Sequence, residues 1–218
     1  MRRILATALE VDFVSALERL RYGLSRPLPG AAAHASMTPR PRLTPAGPGG
    51  PVQLRRAAAL LLVFPVDSAA HIVLTVRSHT LGRHGGQVSL PGGVTDPGET
   101  VVEAALREAR EEIGLATAEV EVLGALTPVD IPSGFRLHPV VASMATRPAF
   151  APANNEVARI LEVPLADLLD PAHRISTTRW RDDHQVVVPA FQVDGIEIWG
   201  ATAMVLAEFL ASLGAPEG

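Results

Sequence analysis

Residues 93–115 constrain the fold of this chain most strongly, because the sequence there passes from a turn into a helix at defined points. The cluster Thr-Asp-Pro-Gly at residues 95–98 favours a turn, since proline fixes φ and glycine tolerates a positive φ. Thr100 followed by Glu103 predicts a capping box, and Gly114 stands where a left-handed helix stop is expected. The stretch therefore predicts a loop that leads into one helix with its own start and stop signals.

Two faces of the predicted helix differ in chemistry. Apolar residues recur at helical spacing and form one stripe, which consists of Val102, Leu106, Ala109 and Ile113. Glu108, Glu111 and Glu112 fall together on another face, because residues three and four apart are neighbours on a helix. Carboxylates this close repel one another, whereas a hard divalent cation such as Mg²⁺ binds carboxylate oxygens and reverses that repulsion. The alternative interpretation is an acidic, solvated helix face with Arg107 and Arg110 as local partners.

The acidic residues also follow a longer pattern, Gly-x5-Glu-x7-Arg-Glu-x-x-Glu-Glu-x-Gly, which is met at every fixed position. Its members are Gly93, Glu99, Arg107, Glu108, Glu111, Glu112 and Gly114, and Leu115 follows them. This pattern resembles the Nudix box. The resemblance implies an α/β fold built as an α/β/α sandwich with a mixed sheet. It also implies a pyrophosphohydrolase that depends on Mg²⁺ or Mn²⁺.

The same resemblance implies a role for each charged residue of the motif. Glu108 and Glu112 would be the leading metal ligands, and Glu111 would be a third ligand or the group that activates water. Glu99 would be an accessory ligand. Arg107 would orient the carboxylates without binding the metal, a role that commonly matters nearly as much as ligation. Glu111, Glu112 and Arg107 are therefore the catalytic candidates on this helix.

A second informative stretch, residues 74–93, leads directly into the motif and is rich in glycine near its centre. It contains the candidate cofactor- or substrate-binding residues, which are Arg77, Ser78, Arg83, His84, Gly92 and Gly93. Backbone N–H groups exposed by glycines, together with nearby guanidinium groups, bind phosphate oxygens. The alternative interpretation is a flexible loop whose arginines are merely solvated.

This stretch resembles the signature that precedes the Nudix box in coenzyme A pyrophosphatases. The matching residues are Leu74, Thr75, Arg77, Ser78, Leu81, His84, Gly86, Val88, Pro91, Gly92 and Gly93. Two positions depart: Gly82 stands where the family has an arginine, with Arg83 beside it, and Leu90 replaces a phenylalanine. The resemblance implies cleavage of the diphosphate of coenzyme A or acyl-coenzyme A, giving 3′,5′-ADP and 4′-phosphopantetheine or its acyl form.

The departure at Gly82 leaves an alternative substrate, namely another nucleoside diphosphate derivative such as ADP-ribose, NADH or a dinucleotide. A nucleotide-binding protein without turnover is a further alternative, although such proteins usually lose one or more carboxylates of the Nudix box. All of those carboxylates are present in this sequence.

Glu156 is a secondary catalytic candidate outside the motif. It ends a polar loop and precedes an apolar run that predicts a strand. In Nudix folds a glutamate in such a loop sometimes faces the metals and acts as general base. The alternative is an exposed carboxylate at a strand edge. Residues 132–141 also resemble the corresponding region of the coenzyme A subgroup.

The composition restricts the class of protein. With 218 residues, 47% of them hydrophobic, the chain is long enough for one sizeable core with a small appendage. A net charge of −4 gives no support to a nucleic-acid or anionic-membrane partner, and we expect a small-molecule substrate. The absence of cysteine excludes disulfides and thiol nucleophiles. We expect a cytoplasmic protein that is a monomer or a homodimer.

The predicted organisation is an N-terminal arm followed by one domain. Residues 1–25 carry a helical apolar pattern, and residues 26–51 are rich in Pro, Ala and Gly, which predicts a linker or a loop on the surface. We expect an N-terminal helix and Pro-rich linker at 1–50 and a Nudix hydrolase domain at 51–218. Within that domain the pattern predicts strands at 56–64, 72–76, 120–126, 138–143, 186–188 and 196–199, and a helix at 203–213.

Overall fold

The structure is a computed structural model that describes residues 11–41, 54–78, 85–181 and 184–214. Its helices are α1 (Phe13–Leu24), α2 (Ala31–Ser36), α3 (Val101–Ile113), α4 (Leu165–Leu169) and α5 (Ala201–Ser212). Its strands are β1 (Arg55–Val66), β2 (Ala69–Arg77), β3 (Val88–Ser89), β4 (Gly92–Val94), β5 (Glu121–Ala125), β6 (Val129–Ile131), β7 (Phe135–Ser143), β8 (Val157–Pro164), β9 (Arg174–Arg181), β10 (His184–Val193) and β11 (Ile196–Trp199). Short 3₁₀ turns at Thr117–Glu119 and Pro171–His173 join some of these elements.

Eight strands form the main sheet, in which β1 and β7 run parallel and the other pairs run antiparallel. The hairpin of β1 and β2 turns at Asp67 and Ser68, both of which adopt a positive φ. Away from this turn, β2 pairs with β3 and β1 pairs with β4. The segment that leads into α3 is thereby fixed at the end of the sheet where β1 begins and β2 ends. A separate three-stranded antiparallel sheet contains β9, β10 and β11.

Strand β1 is buried on both faces and divides the core in two. Its residues facing α3 are Ala58, Leu60, Leu62 and Phe64. Its residues facing the opposite layer are Ala59, Leu61 and Val63. This alternation follows from the two-residue period of a strand. Helix α3 covers one face, and α1, α4 and α5 cover the other. The predicted α/β/α sandwich with a mixed sheet is therefore confirmed.

The N-terminal segment packs onto the second of these layers. Helix α1 begins after Asp12, whose side chain accepts a hydrogen bond from the Ser15 N–H at 3.0 Å, and it confirms the predicted N-terminal helix. The prediction of a linker or loop throughout 26–51 was wrong for part of that range. Residues of α2 and Met37 are buried, because this short helix lies against α5. The predicted domain boundary between residues 50 and 51 falls outside the described residues.

Sequence periodicity located the long elements better than the short ones. The strands β3, β4 and β6, each of two or three residues, carry no periodic signal of their own. On α3 the fully buried apolar residues are Ala104, Ala105, Ala109 and Ile113. Val102 and Leu106 of the predicted stripe are only half-buried at its margin. Among the described residues, no helix is both long enough and apolar enough to span a lipid bilayer.

Candidate active site

Local signals in the sequence fix both ends of α3. The Thr100 hydroxyl accepts a hydrogen bond from the Glu103 N–H at 3.2 Å, and the Glu103 carboxylate accepts one from the Thr100 N–H at 2.8 Å. Gly114 ends the helix with φ 67° and ψ 22°, in the left-handed region. The predicted capping box and helix stop are confirmed.

Glu112 lies at the buried end of the acidic face, with only 8% of its surface exposed. Its Oε2 accepts a hydrogen bond from the Gly92 N–H at 3.2 Å. Burial raises the pKa of Glu112 to about 7, and the charges of Glu108 and Glu156 contribute in the same direction, whereas the Gly92 N–H and Arg77 lower it. In the described part of the chain no cation lies within ion-pair distance of this carboxylate.

Glu108 lies one helical turn before Glu112 and against the strand β4. A side chain at Gly93 would overlap the Glu108 carboxylate, which would have to move aside. At Gly92 a side chain would overlap the backbone of β1. Burial raises the pKa of Glu108, whereas its bond with Arg107 lowers it. The two glycines therefore let the carboxylates of α3 approach the sheet closely.

Arg107 links several carboxylates of the motif. Its guanidinium donates to Glu99 at 2.9 and 3.1 Å, to Glu108 at 2.9 Å and to Glu111 at 3.3 Å. It also donates to the Val94 carbonyl at 3.0 Å. These contacts raise the pKa of Arg107 and lower that of Glu99. Arg107 thus ties the loop before α3 to the acidic face, and Glu111 remains half exposed at its edge.

Arg77 and Glu156 approach the same carboxylates from the other side. Arg77 ends β2, Glu156 precedes β8, and their side chains lie 3.4 Å apart. The Ser78 N–H donates to the Glu156 carbonyl at 2.7 Å, which holds the two segments together. The charges of Glu156 and Arg77 both act on the pKa of Glu112, so these side chains lie near the acidic face of α3.

The structure therefore brings together most of the candidates predicted from the sequence. On α3 and in the loop before it these are Glu99, Arg107, Glu108, Glu111 and Glu112. Across from them lie Arg77, Ser78, Gly92, Gly93 and Glu156. Arg83 and His84 fall in residues 79–84, outside the described residues. The Val94 carbonyl was missed, because a backbone contact leaves no signal in residue type.

The donor set suits a hard divalent cation. The carboxylate oxygens of Glu108, Glu112 and Glu156 supply only oxygen donors, which Mg²⁺ and Mn²⁺ prefer. Glu112 is buried, and a bound metal would offset the cost of ionising it. Within 11–41, 54–78, 85–181 and 184–214, no three acidic or histidine side chains are arranged so that they could hold a metal ion together. Glu99, Glu108 and Glu111 turn instead towards Arg107.

This chain was compared with protein families, with known sequences and with solved structures. The sequence model of the NUDIX domain matches residues 54–192. An uncharacterized Nudix hydrolase NudL of Pectobacterium atrosepticum is 37% identical over 159 residues, which cover 72% of this chain and 82% of that protein. A NudL protein of Klebsiella pneumoniae is 36% identical over 164 residues, covering 74% and 84%. A solved MutT protein from Methanosarcina mazei superposes with a TM-score of 0.49 at 17% identity, covering 74% of this chain and 96% of that one.

Proposed function

Because this chain belongs to the Nudix family of hydrolases, we propose that it cleaves the diphosphate of coenzyme A or acyl-coenzyme A. The products would be 3′,5′-ADP and 4′-phosphopantetheine or its acyl form. In this reaction a water oxygen bonds to one phosphorus of the diphosphate. The bond from that phosphorus to the bridging oxygen breaks, and each half leaves as a phosphomonoester.

The observation that supports hydrolysis is the arrangement around Glu112. A buried carboxylate beside Glu108 and Glu156 is costly unless a cation or a proton joins it. Nudix hydrolases generally use divalent cations, and here Glu108 and Glu112, with Glu111 and Glu99 nearby, would hold Mg²⁺ or Mn²⁺. Such an ion, when bound, neutralises charge on the diphosphate oxygens and lowers the pKa of water.

The remaining side chains have separate tasks in this proposal. Glu156 would accept the proton of the attacking water, since it faces the acidic cluster and is half exposed. Glu111 is the alternative for this role. Arg77 would bind the phosphate oxygens and would stabilise the negative charge that develops on the leaving group. Arg107 would hold Glu99 and Glu108 in place without contacting substrate.

The choice of coenzyme A rests on the sequence signature at residues 74–93. Arg77 and Ser78 of this signature lie beside Glu156, and Gly92 and Gly93 lie against the acidic face of α3. The signature therefore adjoins the proposed reaction centre. Arg83 and His84 would contribute further phosphate contacts from the glycine-rich loop.

The departure at Gly82 favours a second candidate, a Nudix hydrolase of another diphosphate such as ADP-ribose, NADH or a dinucleotide. A non-catalytic binding protein is disfavoured, because every carboxylate of the Nudix box is present. We further propose an N-terminal arm at 1–50 and a catalytic domain at 51–218, in a cytoplasmic monomer or homodimer.

The proposal is tested by incubating the protein with coenzyme A and Mg²⁺ or Mn²⁺ and separating the products by chromatography. We expect 3′,5′-ADP and 4′-phosphopantetheine in equal amounts, formed only when the metal is present. Glu112→Gln should abolish the products, whereas Glu119→Gln, which removes an exposed carboxylate outside the site, should leave them unchanged. Equal activity with a chelator, or in Glu112→Gln, would contradict the proposed chemistry.

A further inference from the structure

A groove of about 960 Å³ opens beside the N-terminal end of α3. Arg55 and Arg56 of β1 form one wall, and the loop from Val94 to Val101 forms the other. Neither Glu108 nor Glu112 lines it. The groove is therefore offset from Glu108 and Glu112 but shares Glu99 with the acidic residues of the motif, and both places lie at the same end of the sheet.

The two arginines of the groove are not paired with any acidic residue that the structure describes. In the described ranges, no carboxylate lies within ion-pair distance of Arg55 or Arg56. Arg55 lies over the ring of Phe135 at 5.2 Å, which fixes its orientation. Residues 42–53, which precede β1, contain Arg42 and no acidic residue. Neighbouring residues of a strand point to opposite faces, so Arg55 and Arg56 reach the groove from opposite sides of β1.

The acidic residues on the opposite wall are paired with Arg107 rather than with Arg55 or Arg56. Glu99 is bound by two hydrogen bonds from Arg107, and Asp96 lies 3.9 Å from the same guanidinium. Arg136 is neutralised by Asp130, with contacts of 2.7 and 3.0 Å.

Arg56 and Arg136 contribute positive charge at the end of β1 and β7, and Asp130 opposes them. Burial lowers the pKa of His138, the charges of the two arginines lower it further, and Asp130 raises it. The register of β1 and β7 places Arg56 beside Arg136 and Ala58 beside His138. The first turn of α3, which also lines the groove, adds the positive end of the helix dipole.

We propose that this groove binds a phosphomonoester, and that on the proposed coenzyme A substrate Arg55 and Arg56 recognise the 3′-phosphate. The recognition of coenzyme A rests on the proposed function, whereas the anion site rests on the groove alone. A phosphomonoester dianion suits two guanidinium groups, because each guanidinium donates paired hydrogen bonds to phosphate oxygens.

The two sites lie close together along β1 and β4. Gly93, which contacts Glu108, pairs with Ala58, and Arg56 lies two residues further along β1. From strand geometry the Cα atoms of Gly93 and Arg56 are about 8 Å apart. In coenzyme A the diphosphate and the 3′-phosphate are attached to the same ribose, so one substrate molecule can reach both places.

The test compares coenzyme A with 3′-dephospho-coenzyme A in the wild type, Arg56→Ala and Arg19→Ala. Arg19 is an exposed arginine of α1 near Gly214, so its removal is a matched loss of charge elsewhere. We expect Arg56→Ala to lower the ratio of kcat/KM for coenzyme A to that for the dephospho form by about tenfold, which is about 1.4 kcal/mol. Arg19→Ala should leave this ratio unchanged. Equal ratios in all three proteins would overturn the proposal.

A second measurement separates this proposal from the proposed reaction. Calorimetry with 3′,5′-ADP and with 5′-AMP reports the contribution of the 3′-phosphate without turnover. We expect tighter binding of 3′,5′-ADP by the wild type, and the loss of that preference in Arg56→Ala. If coenzyme A is not hydrolysed but the preference follows Arg56, the proposed function fails and the anion site stands. If neither preference depends on Arg56, the anion site fails.

Discussion

At the scale of single residues, Glu112 combines two properties that are rarely found together. It is a carboxylate nearly excluded from solvent, and its neighbours Glu108 and Glu156 are also acidic. Such a group destabilises a fold when it is ionised without a partner. Its retention is explained if a cation occupies the site during function.

The stability of the metal-free protein should therefore depend on pH through Glu112. Its pKa of about 7 in the folded protein exceeds the ordinary value of 4.5, so the folded state holds this proton more tightly than the unfolded chain. The stability that this tighter proton binding gives the folded state is present at low pH. It is lost as the pH rises from about 4.5 to 7. With a chelator at about pH 8, Glu112→Gln should raise the free energy of unfolding by roughly 3 kcal/mol.

Urea unfolding at several pH values measures this effect. The two proteins should converge at about pH 4, where the wild-type carboxyl is protonated both in the folded and in the unfolded state. Adding Mg²⁺ at neutral pH should stabilise the wild type more than Glu112→Gln. A difference that does not change with pH would show that Glu112 is not destabilised by its own charge.

Arg107 supplies a second prediction at this scale. Arg107→Lys keeps the charge but cannot reproduce the forked contacts to Glu99, Glu108 and the Val94 carbonyl. We expect kcat/KM to fall by about 10- to 100-fold and the Mg²⁺ concentration for half-maximal activity to rise. Arg110→Lys, on the exposed side of the same helix, should behave as wild type. Wild-type kinetics for Arg107→Lys would exclude a positioning role.

The spacing of the sequence motif identified these residues, but it did not predict how deeply each one is buried. The pattern identified Glu99, Arg107, Glu108 and Glu112 because their separations are fixed along one loop and helix. It could not distinguish buried Glu112 from half-exposed Glu111, since their burial depends on strand β4. Arg56 was not predicted to bind a ligand, because its partners in space come from distant parts of the chain.

At the scale of elements, hydrogen bonds join α3 and the loop before it into one unit. Both ends of the helix are fixed locally, and Arg107 ties the helix to the loop. The two caps were predictable because capping depends on residues that are close in sequence, whereas the contact of Arg107 with the Val94 carbonyl was not. The short strands β3 and β4 were not predictable, because they exist only through pairing with β2 and β1.

The capping box gives a prediction for this element. Thr100→Ala removes the hydroxyl that accepts from the Glu103 N–H and should destabilise the protein by about 1 kcal/mol. For a chain of this length the melting temperature should fall by about 2 to 4 °C. Thr100→Ser retains the hydroxyl and serves as the control in thermal melts followed by circular dichroism. An equal fall in both variants would show that the cap is not the cause.

At the scale of the whole molecule, a buried carboxylate joins the N-terminal segment to the rest of the fold. Glu208 of α5 is fully buried and accepts hydrogen bonds from Gly30, His34 and Thr127. Burial raises the pKa of Glu208, but the bonds from His34 and Thr127 outweigh it, so the pKa lies below its usual range. These partners are far apart in sequence, which explains why the segment was predicted as a linker.

Removing this carboxylate should loosen the N-terminal segment. Glu208→Ala leaves several buried donors without an acceptor, and we expect a loss of about 3 to 5 kcal/mol in the free energy of unfolding. Glu208→Gln keeps one carbonyl acceptor and should lose less. The control is Glu121→Ala, which breaks the exposed pair with Arg21 and should cost no more than about 1 kcal/mol. Similar losses in Glu208→Ala and Glu121→Ala by urea unfolding would contradict this role.

The central claim is that coenzyme A compounds are the preferred substrates, and the most direct test is a comparison of kcat/KM across diphosphates. The panel contains coenzyme A, an acyl-coenzyme A, ADP-ribose, NADH and a dinucleoside polyphosphate, each assayed with Mg²⁺ or Mn²⁺. We predict that a coenzyme A compound leads by at least about tenfold, or about 1.4 kcal/mol of transition-state stabilisation. A lead of that size for any other diphosphate would contradict the claim and assign the site to the alternative that Gly82 favours.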